Sequence, residues 1–224
     1  MTYGLGAIQS PPDERDFDLA KLYADTGTKP VTPPPSFNVA TMGPVLNQGT
    51  TPECVAFSGA GEQASFDLAE TGHNYLWDEG YFFKLIGGGP NGAIVRNAFA
   101  KRLSYGYPLL PAHSGNSHLA HRISAYYAVP VNQASIEAAI SQFGAVVFGL
   151  PWYNSWFTPG PTGILPPADY QVGGHAIVGR GYTPTGVVLR NSWGATWGVN
   201  GDCTLPWGML SAAWECWKAT VAKP

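Results

Sequence analysis

Charge is scarce in this chain of 224 residues: Lys, Arg, Asp and Glu make up 12% of it, about half the usual share, and the formal net charge is only −3. That leaves no basic footprint for nucleic acid or for an anionic membrane. Cysteine is scarce too. Cys54, Cys203 and Cys216 are too few for a disulfide scaffold, and their odd number leaves at least one thiol free unless a partner chain supplies another. No apolar run approaches the roughly 20 residues that span a bilayer. Met1 to Ser10 has neither the basic start nor the apolar core of a signal peptide. The expectation is a soluble protein, cytoplasmic as synthesised, with no membrane or nucleic-acid partner; oligomeric state is left open. Uninterrupted helix is missing as well, because 28 Gly and 20 Pro cut every candidate and exclude a long bundle. What is present is enough apolar residue, 45%, to build a sizeable core in one domain or a tightly joined two-lobed one.

Residues 1–45 read as an irregular Pro-rich arm, with Pro33-Pro34-Pro35 favouring extended geometry and at most one short helix near Phe17 to Tyr23. An arm wrapped on the body and a disordered tail are the two readings of it. Helices are predicted over Cys54–Glu70, Asp78–Leu85, Ala93–Leu103 and Ser135–Phe143, the last capped by Ser135. Gly59 and Gly61 weaken the first helix by roughly 1 kcal/mol each, and small residues there mean close packing against another element. The pattern then changes to strands: Ala145–Leu150, Ala176–Tyr182, Val187–Arg190 after the turn Pro184-Thr185-Gly186, and Gly201–Leu205. Helices followed by strands predict an α+β architecture with segregated halves, a helical lobe over about 46–130 and a β-rich lobe over about 131–224.

Cys54 follows the turn-forming Gly49-Thr50-Thr51-Pro52-Glu53 and opens the first helix, where backbone N–H groups and the helix dipole favour the thiolate. A cysteine there, taken alone, is more often structural than catalytic. Its company changes that. Gln48, six residues upstream, carries a primary amide that, with the Cys54 N–H, makes a workable oxyanion hole. His175 heads an apolar strand after Gly173-Gly174, and an antiparallel hairpin returns Asn191 beside it to accept the imidazole N–H. The other ring nitrogen is then free for the Cys54 proton, with Trp193 placed to shield the pair from water.

These blocks, Asn47-Gln48-Gly49 through Cys54-Val-Ala-Phe-Ser58, then Gly174-His175-Ala176, then Asn191-Ser-Trp-Gly194 with Trp197-Gly198 and Asn200-Gly201, resemble the papain family of cysteine peptidases over roughly Pro44 to Leu210. The resemblance implies a papain-like two-lobed fold, the β-rich lobe barrel-like and the cleft between the lobes. It implies Cys54 as nucleophile, His175 as base and acid, Asn191 as orienter and Gln48 as oxyanion donor, hydrolysing peptide bonds of a polypeptide substrate through a thioester with no metal or other cofactor. By the same resemblance Gly89, Asn91 and Gly92 form a cleft wall for substrate backbone, with Gly174 leaving room on the β side and Trp193 beside the site. The chain departs from the family pattern at Thr51, where a disulfide cysteine is usual, at Pro52-Glu53, and at Val55, where an aromatic is common. A Glu53 carboxylate facing the site would raise the thiol pKa. A long helical prosegment is absent from the sequence as written, a pattern typical of members from bacteria and their viruses. The rival readings are a cell-wall peptide hydrolase and a catalytically silent fold used for binding.

Other signals read as bland. His113, His118 and His121 lie near a polar loop with no Cys or carboxylate interleaved, so a solvated loop is expected rather than zinc. Cys203 and Cys216 either pair or remain buried thiols. Trp152, Tyr153, Trp156 and Phe157 are expected to cap a core or line a rim rather than bind sugar. Gly179-Arg180-Gly181 precedes no helix and so is no phosphate loop.

Overall fold

The computed structural model describes residues 3–14, 16–110 and 117–221. The chain enters as an extended segment carrying β1 (Ala7–Ile8), then α1 (Leu19–Thr26), whose Asp18 cap accepts from the Lys21 N–H at 3.0 Å, then β2 (Phe37–Asn38). The helical half is α2 (Cys54–Thr71), α3 (Glu79–Leu85), β3 (Ala93–Ile94) and α4 (Val95–Ser104). Pro52 blocks an earlier start for α2, and Gly72, at φ 72°, ends it in the left-handed conformation that spares a Cβ clash. The small residues inside α2 do let other elements close in: a Cβ on Gly61 would lie 3.1 Å from Val178, and one on Gly59 3.5 Å from Tyr107.

The second half is β4 (Ala125–Ala128), α5 (Gln133–Phe143), β5 (Val146–Tyr153), β6 (Gln171–Thr183), β7 (Gly186–Arg190), β8 (Asp202–Pro206) and β9 (Glu215–Thr220). These strands and β2 form one seven-stranded sheet, in the order β4-β9-β5-β6-β7-β8 with β2 paired to β6. All of its ladders are antiparallel, as hairpins and short connections permit. The expected α+β order is present, but the barrel is not: among the described residues β4 and β8 remain as unjoined edges. The cap of α5 also differs. Asn132, in extended geometry, accepts from the Ser135 N–H at 2.9 Å, so the helix starts earlier than Ser135.

One face of the sheet buries Ile136, Ile140, Phe148, Ile177 and Leu189 under α5, and the other buries Val147, Ala176 and Trp217 against α2 and α4. In that second layer Glu62 of α2 is fully buried and accepts from Arg102 Nη1 at 2.7 Å, the Ala219 N–H at 3.1 Å and Lys218 Nζ at 3.4 Å. Burial pulls the Lys218 ammonium down to about 8, against the opposing effect of the Glu62 carboxylate. The network joins α2 to α4 and to β9 without a disulfide, for Cys54, Cys203 and Cys216 are all free buried thiols.

His121 corrects the solvated-loop expectation: it is buried, its Nδ1 lies 3.1 Å from Asp67 Oδ2, and Tyr75 and Trp77 pack edge-on against its ring. His118 stacks on Tyr105 at 3.9 Å, and His113 lies outside the described residues. Among the described residues no group of His, Cys, Asp and Glu is placed to hold a metal ion, and no helix is long and apolar enough to cross a membrane.

Candidate active site

Cys54 is the first residue of α2, and its sulfur faces β6, where the Ala176 N–H lies 3.5 Å away. His175 precedes Ala176 on the same strand, so alternation turns its ring to the opposite side of the backbone. There Nε2 meets Asn191 Oδ1 at 2.8 Å. Asn191 follows the end of β7, which pairs antiparallel with β6 through Val178 opposite Arg190. Its Oδ1 also accepts the Ser192 N–H at 2.7 Å, and its own N–H donates to Gly201 O at 2.8 Å. The turn that presents Gly201 uses left-handed geometry at Asn200, φ 54°, and at Gly201, φ 82°.

Gln48 is held by a strand-like pairing of 46–49 with 192–194: its N–H donates to Ser192 O at 2.8 Å and the Gly194 N–H to Leu46 O at 2.9 Å. Its side-chain oxygen accepts from Ser192 Oγ at 2.7 Å and its Nε2 donates to Thr51 O at 2.8 Å, which together fix the orientation of the amide. Ser192 therefore orients Gln48, a role that nothing in the sequence pattern marked. The Trp193 ring lies over His175, centroids 4.6 Å apart, and Trp152 meets both rings edge-on at 4.8 and 5.0 Å. Trp152 and Trp156 are fully buried, so the aromatic cluster closes this end of the core.

The cleft is filled by the chain itself. Tyr3 stacks on Trp193 at 4.6 Å. The Gly4 N–H donates to Gly49 O at 3.0 Å, while Gly4 O accepts from Gln48 Nε2 at 3.3 Å and from Trp193 Nε1 at 3.2 Å. The Gly6 N–H donates to Gly174 O at 2.9 Å, and Gly6 O accepts the Ala93 N–H at 2.8 Å. β1 then runs parallel to β3, Ala7 opposite Ala93. Ser10 donates its N–H to Glu215 Oε1 at 2.9 Å, and Asp16 pairs with Arg96 at 2.6 Å. Glycine is required at this passage: a Cβ on Gly4 would stand 1.9 Å from Thr51 O, and one on Gly6 2.2 Å from Pro52 O.

Gly174 and Trp193, expected beside the substrate, thus face this strand. The glycine loop is placed differently: Gly89 and Gly92 exchange backbone hydrogen bonds at 3.1 and 2.9 Å, and only Gly92 approaches the strand, where a Cβ would meet Gly6 O at 1.7 Å. Asn91 stands in the turn between them. The backbone donor that meets the strand is Ala93, one residue beyond those expected.

Occlusion sets the electrostatics. Cys54 and His175 are each 0% exposed. Burial pushes the thiol up to about 12, against the opposing pull of backbone N–H groups of Ala176, Gly6, Val55 and Cys54. Burial likewise takes His175 down to about 4 despite the Asn191 hydrogen bond. The helix start was expected to favour the thiolate; here desolvation outweighs it, and the pair is neutral. Among the described residues His175 Nδ1 has no hydrogen-bond partner, so the proton-transfer contact to the sulfur is not yet made. Glu53 Oε1 lies about 4.0 Å from where a Cβ on Gly80 would be, and Glu53 joins burial and Asp78 in raising Glu79 to about 7.

No family model matches the sequence, and no curated protein matches it. Solved structures match its shape. Xylellain, a cysteine protease from Xylella fastidiosa, superposes with a TM-score of 0.83 at 20% identity, covering 99% of this chain and 97% of that one. Procathepsin L2 proteinase from the larval midgut of Tenebrio molitor gives 0.76 at 20% identity over 98% of this chain and 78% of that one. The bromelain protease of Ananas comosus, solved with the E64 inhibitor, gives 0.68 at 20% identity over 84% of this chain and all of that one, 100%. At such identities the likeness is one of architecture: this chain has the papain-like fold that these cysteine proteases share.

Proposed function

We propose that the chain is a cysteine endopeptidase of the papain type, held closed by residues 3–10. The observation that carries it is the hydrogen bond from His175 to Asn191 at 2.8 Å, on a strand whose next residue holds the Cys54 sulfur at the head of α2. In the open site Cys54 attacks the scissile carbonyl, and Nδ1 of His175 takes the thiol proton and returns it to the leaving amine. The oxyanion rests on Gln48 Nε2 and the Cys54 N–H. Water then releases the acyl group from the thioester, with the same imidazole as base.

The strand is held across the site by backbone hydrogen bonds on both sides, from the Gly4 N–H to Gly49 O at 3.0 Å, from the Gly6 N–H to Gly174 O at 2.9 Å and from the Ala93 N–H to Gly6 O at 2.8 Å.

Replacing Gly6 by Val should unseat the strand, because a Cβ there would stand 2.2 Å from Pro52 O. The G6V chain should hydrolyse denatured casein and take one peptidyl-epoxide adduct by intact mass, and G6V with Cys54→Ala should do neither. A folded G6V chain that neither cleaves nor labels would refute the peptidase reading.

A further inference from the structure

Gly61 and Ala64 lie about two and three turns beyond Cys54 along α2, and together they carry a single methyl group. That shortage of side chain leaves a cavity of about 250 Å³ bounded by α2, the segment 75–77 and Leu110, with Pro44 and Leu46 also on its wall. Two backbone contacts tie the outer side together: the Asp78 N–H donates to Pro108 O at 3.0 Å, and the Leu110 N–H to Leu76 O at 2.9 Å. Tyr75 and Trp77 are braced by further rings, Tyr75 by His121 with centroids 4.5 Å apart and Trp77 by Tyr107 at 5.2 Å. The walls are therefore preformed. Leu76 and Leu110, 73% and 48% exposed, mark the mouth.

One carboxyl group enters this apolar space. Glu79, the first residue of α3, lines the cavity and is half-buried. Among the described residues no cation pairs with it, whereas Glu62, Asp67 and Asp202 are paired with Arg102, His121 and Arg190. Glu53 and Asp78 add negative charge from the start of α2 and the cap of α3. An acceptor in that setting is satisfied best by a donor that brings its own positive charge. Aromatic side chains on the wall favour a cation as well, and the same carboxylates repel an anion. The volume falls a little below the roughly 300 Å³ at which drug-sized pockets begin, so the occupant is small.

We propose that this cavity binds a small organic ammonium ion, with its apolar body against Leu46, Ala64 and Trp77 and its charged end on Glu79. None of residues 3–10 lines the cavity, so the N-terminal strand does not cover it and the closed chain can fill it. The inference is independent of the peptidase reading.

The test is isothermal titration of the full chain at neutral pH with phenethylamine, and with phenethyl alcohol as an uncharged probe of nearly the same shape. The amine should bind one to one with a Kd at or below about 1 mM, within reach of so small a ligand. It should bind roughly tenfold to a hundredfold more tightly than the alcohol, as expected for a charge-assisted hydrogen bond. Glu79→Gln should remove that advantage and bring the two probes together. Ala64→Leu, which fills the cavity, should abolish binding of both. The proposal is overturned by an amine that does not saturate, that binds no better than the alcohol, or that keeps its advantage in Glu79→Gln. Binding that survives in a folded Ala64→Leu chain overturns it too, and if that variant does not fold the first three readings decide.

Discussion

The carbonyl oxygen of Gly4 accepts a hydrogen bond from Nε2 of Gln48 at 3.3 Å. The amide that our mechanism assigns to a developing oxyanion is thereby given to a ground-state carbonyl of the same chain. Two glycines earn their place here by lacking a side chain, since any Cβ at 4 or 6 would strike the 51–52 backbone. The candidate site is complete in its parts and closed in its conformation, and each consequence below turns on that difference.

The closed thiol should resist small alkylating agents at neutral pH. At about 12 it is ionised to roughly one part in 10⁵ at pH 7, whereas a thiol near the free value of about 8.5 is ionised to a few per cent. Iodoacetamide should therefore modify Cys54 about 10³-fold faster in G6V than in the parent, read by peptide mass. Equal rates would mean that the strand does not guard the sulfur.

Closure should have a pH window. His175 is held near 4 when covered, below its ordinary 6.5, so the open form binds the proton more tightly and acid favours opening as pH falls from about 6.5 toward 4. Cys54 is shifted the other way, so the open form gives up its proton first and alkali favours opening above about 9. Closure is strongest between those limits. Proteolytic nicking of the N-terminal strand should rise on both sides, and Cys54→Ala should remove the alkaline limb alone.

In the opened chain Gln48→Ala should lower kcat by about 10²–10³ with little change in KM, the usual loss for one oxyanion donor. Ser192→Ala should give a smaller fall in kcat, since it removes only the hydroxyl that fixes the Gln48 amide at 2.7 Å. Steady-state kinetics on one peptide amide check both. A Gln48→Ala effect confined to KM would exclude the oxyanion role.

Glu62→Gln should destabilise the fold by about 3–5 kcal/mol in urea titration, because Arg102 and Lys218 are then left buried without their carboxylate. Replacing all three by Met should recover most of that loss. The comparison separates the cost of breaking a buried charge network from the value of having one.

Much of the candidate site's geometry was readable from residue types because it is made of side chains. Cys54 after Pro52, His175 at the head of an apolar strand, and Asn191 across a hairpin are local patterns, and short antiparallel connections bring them together. The strand in the cleft left only a faint mark. Its contacts are backbone to backbone, so Gly4 and Gly6 signal it merely by what they lack. Ala93 escaped for the same reason: a backbone donor has no residue signature, and the glycines before it drew attention to the turn instead. Asn132 replaced Ser135 as the α5 cap because both residue types cap well and only backbone geometry decides between them. His121 was misjudged because its partner Asp67 lies far away in sequence and its aromatic neighbours come from another loop.

Behind the covering strand the chain is stitched down by β2 against β6 and by the Ala128 N–H on Phe17 O at 2.7 Å. Only the first dozen or so residues can swing free. A substrate therefore competes with a rival that never diffuses away, whose local concentration is set by a short tether at roughly the millimolar level and does not fall on dilution. Measured affinity for any peptide would carry the fraction of time the tether stands open as a divisor, so a shift in closure would move apparent KM even though no contact to the peptide had changed.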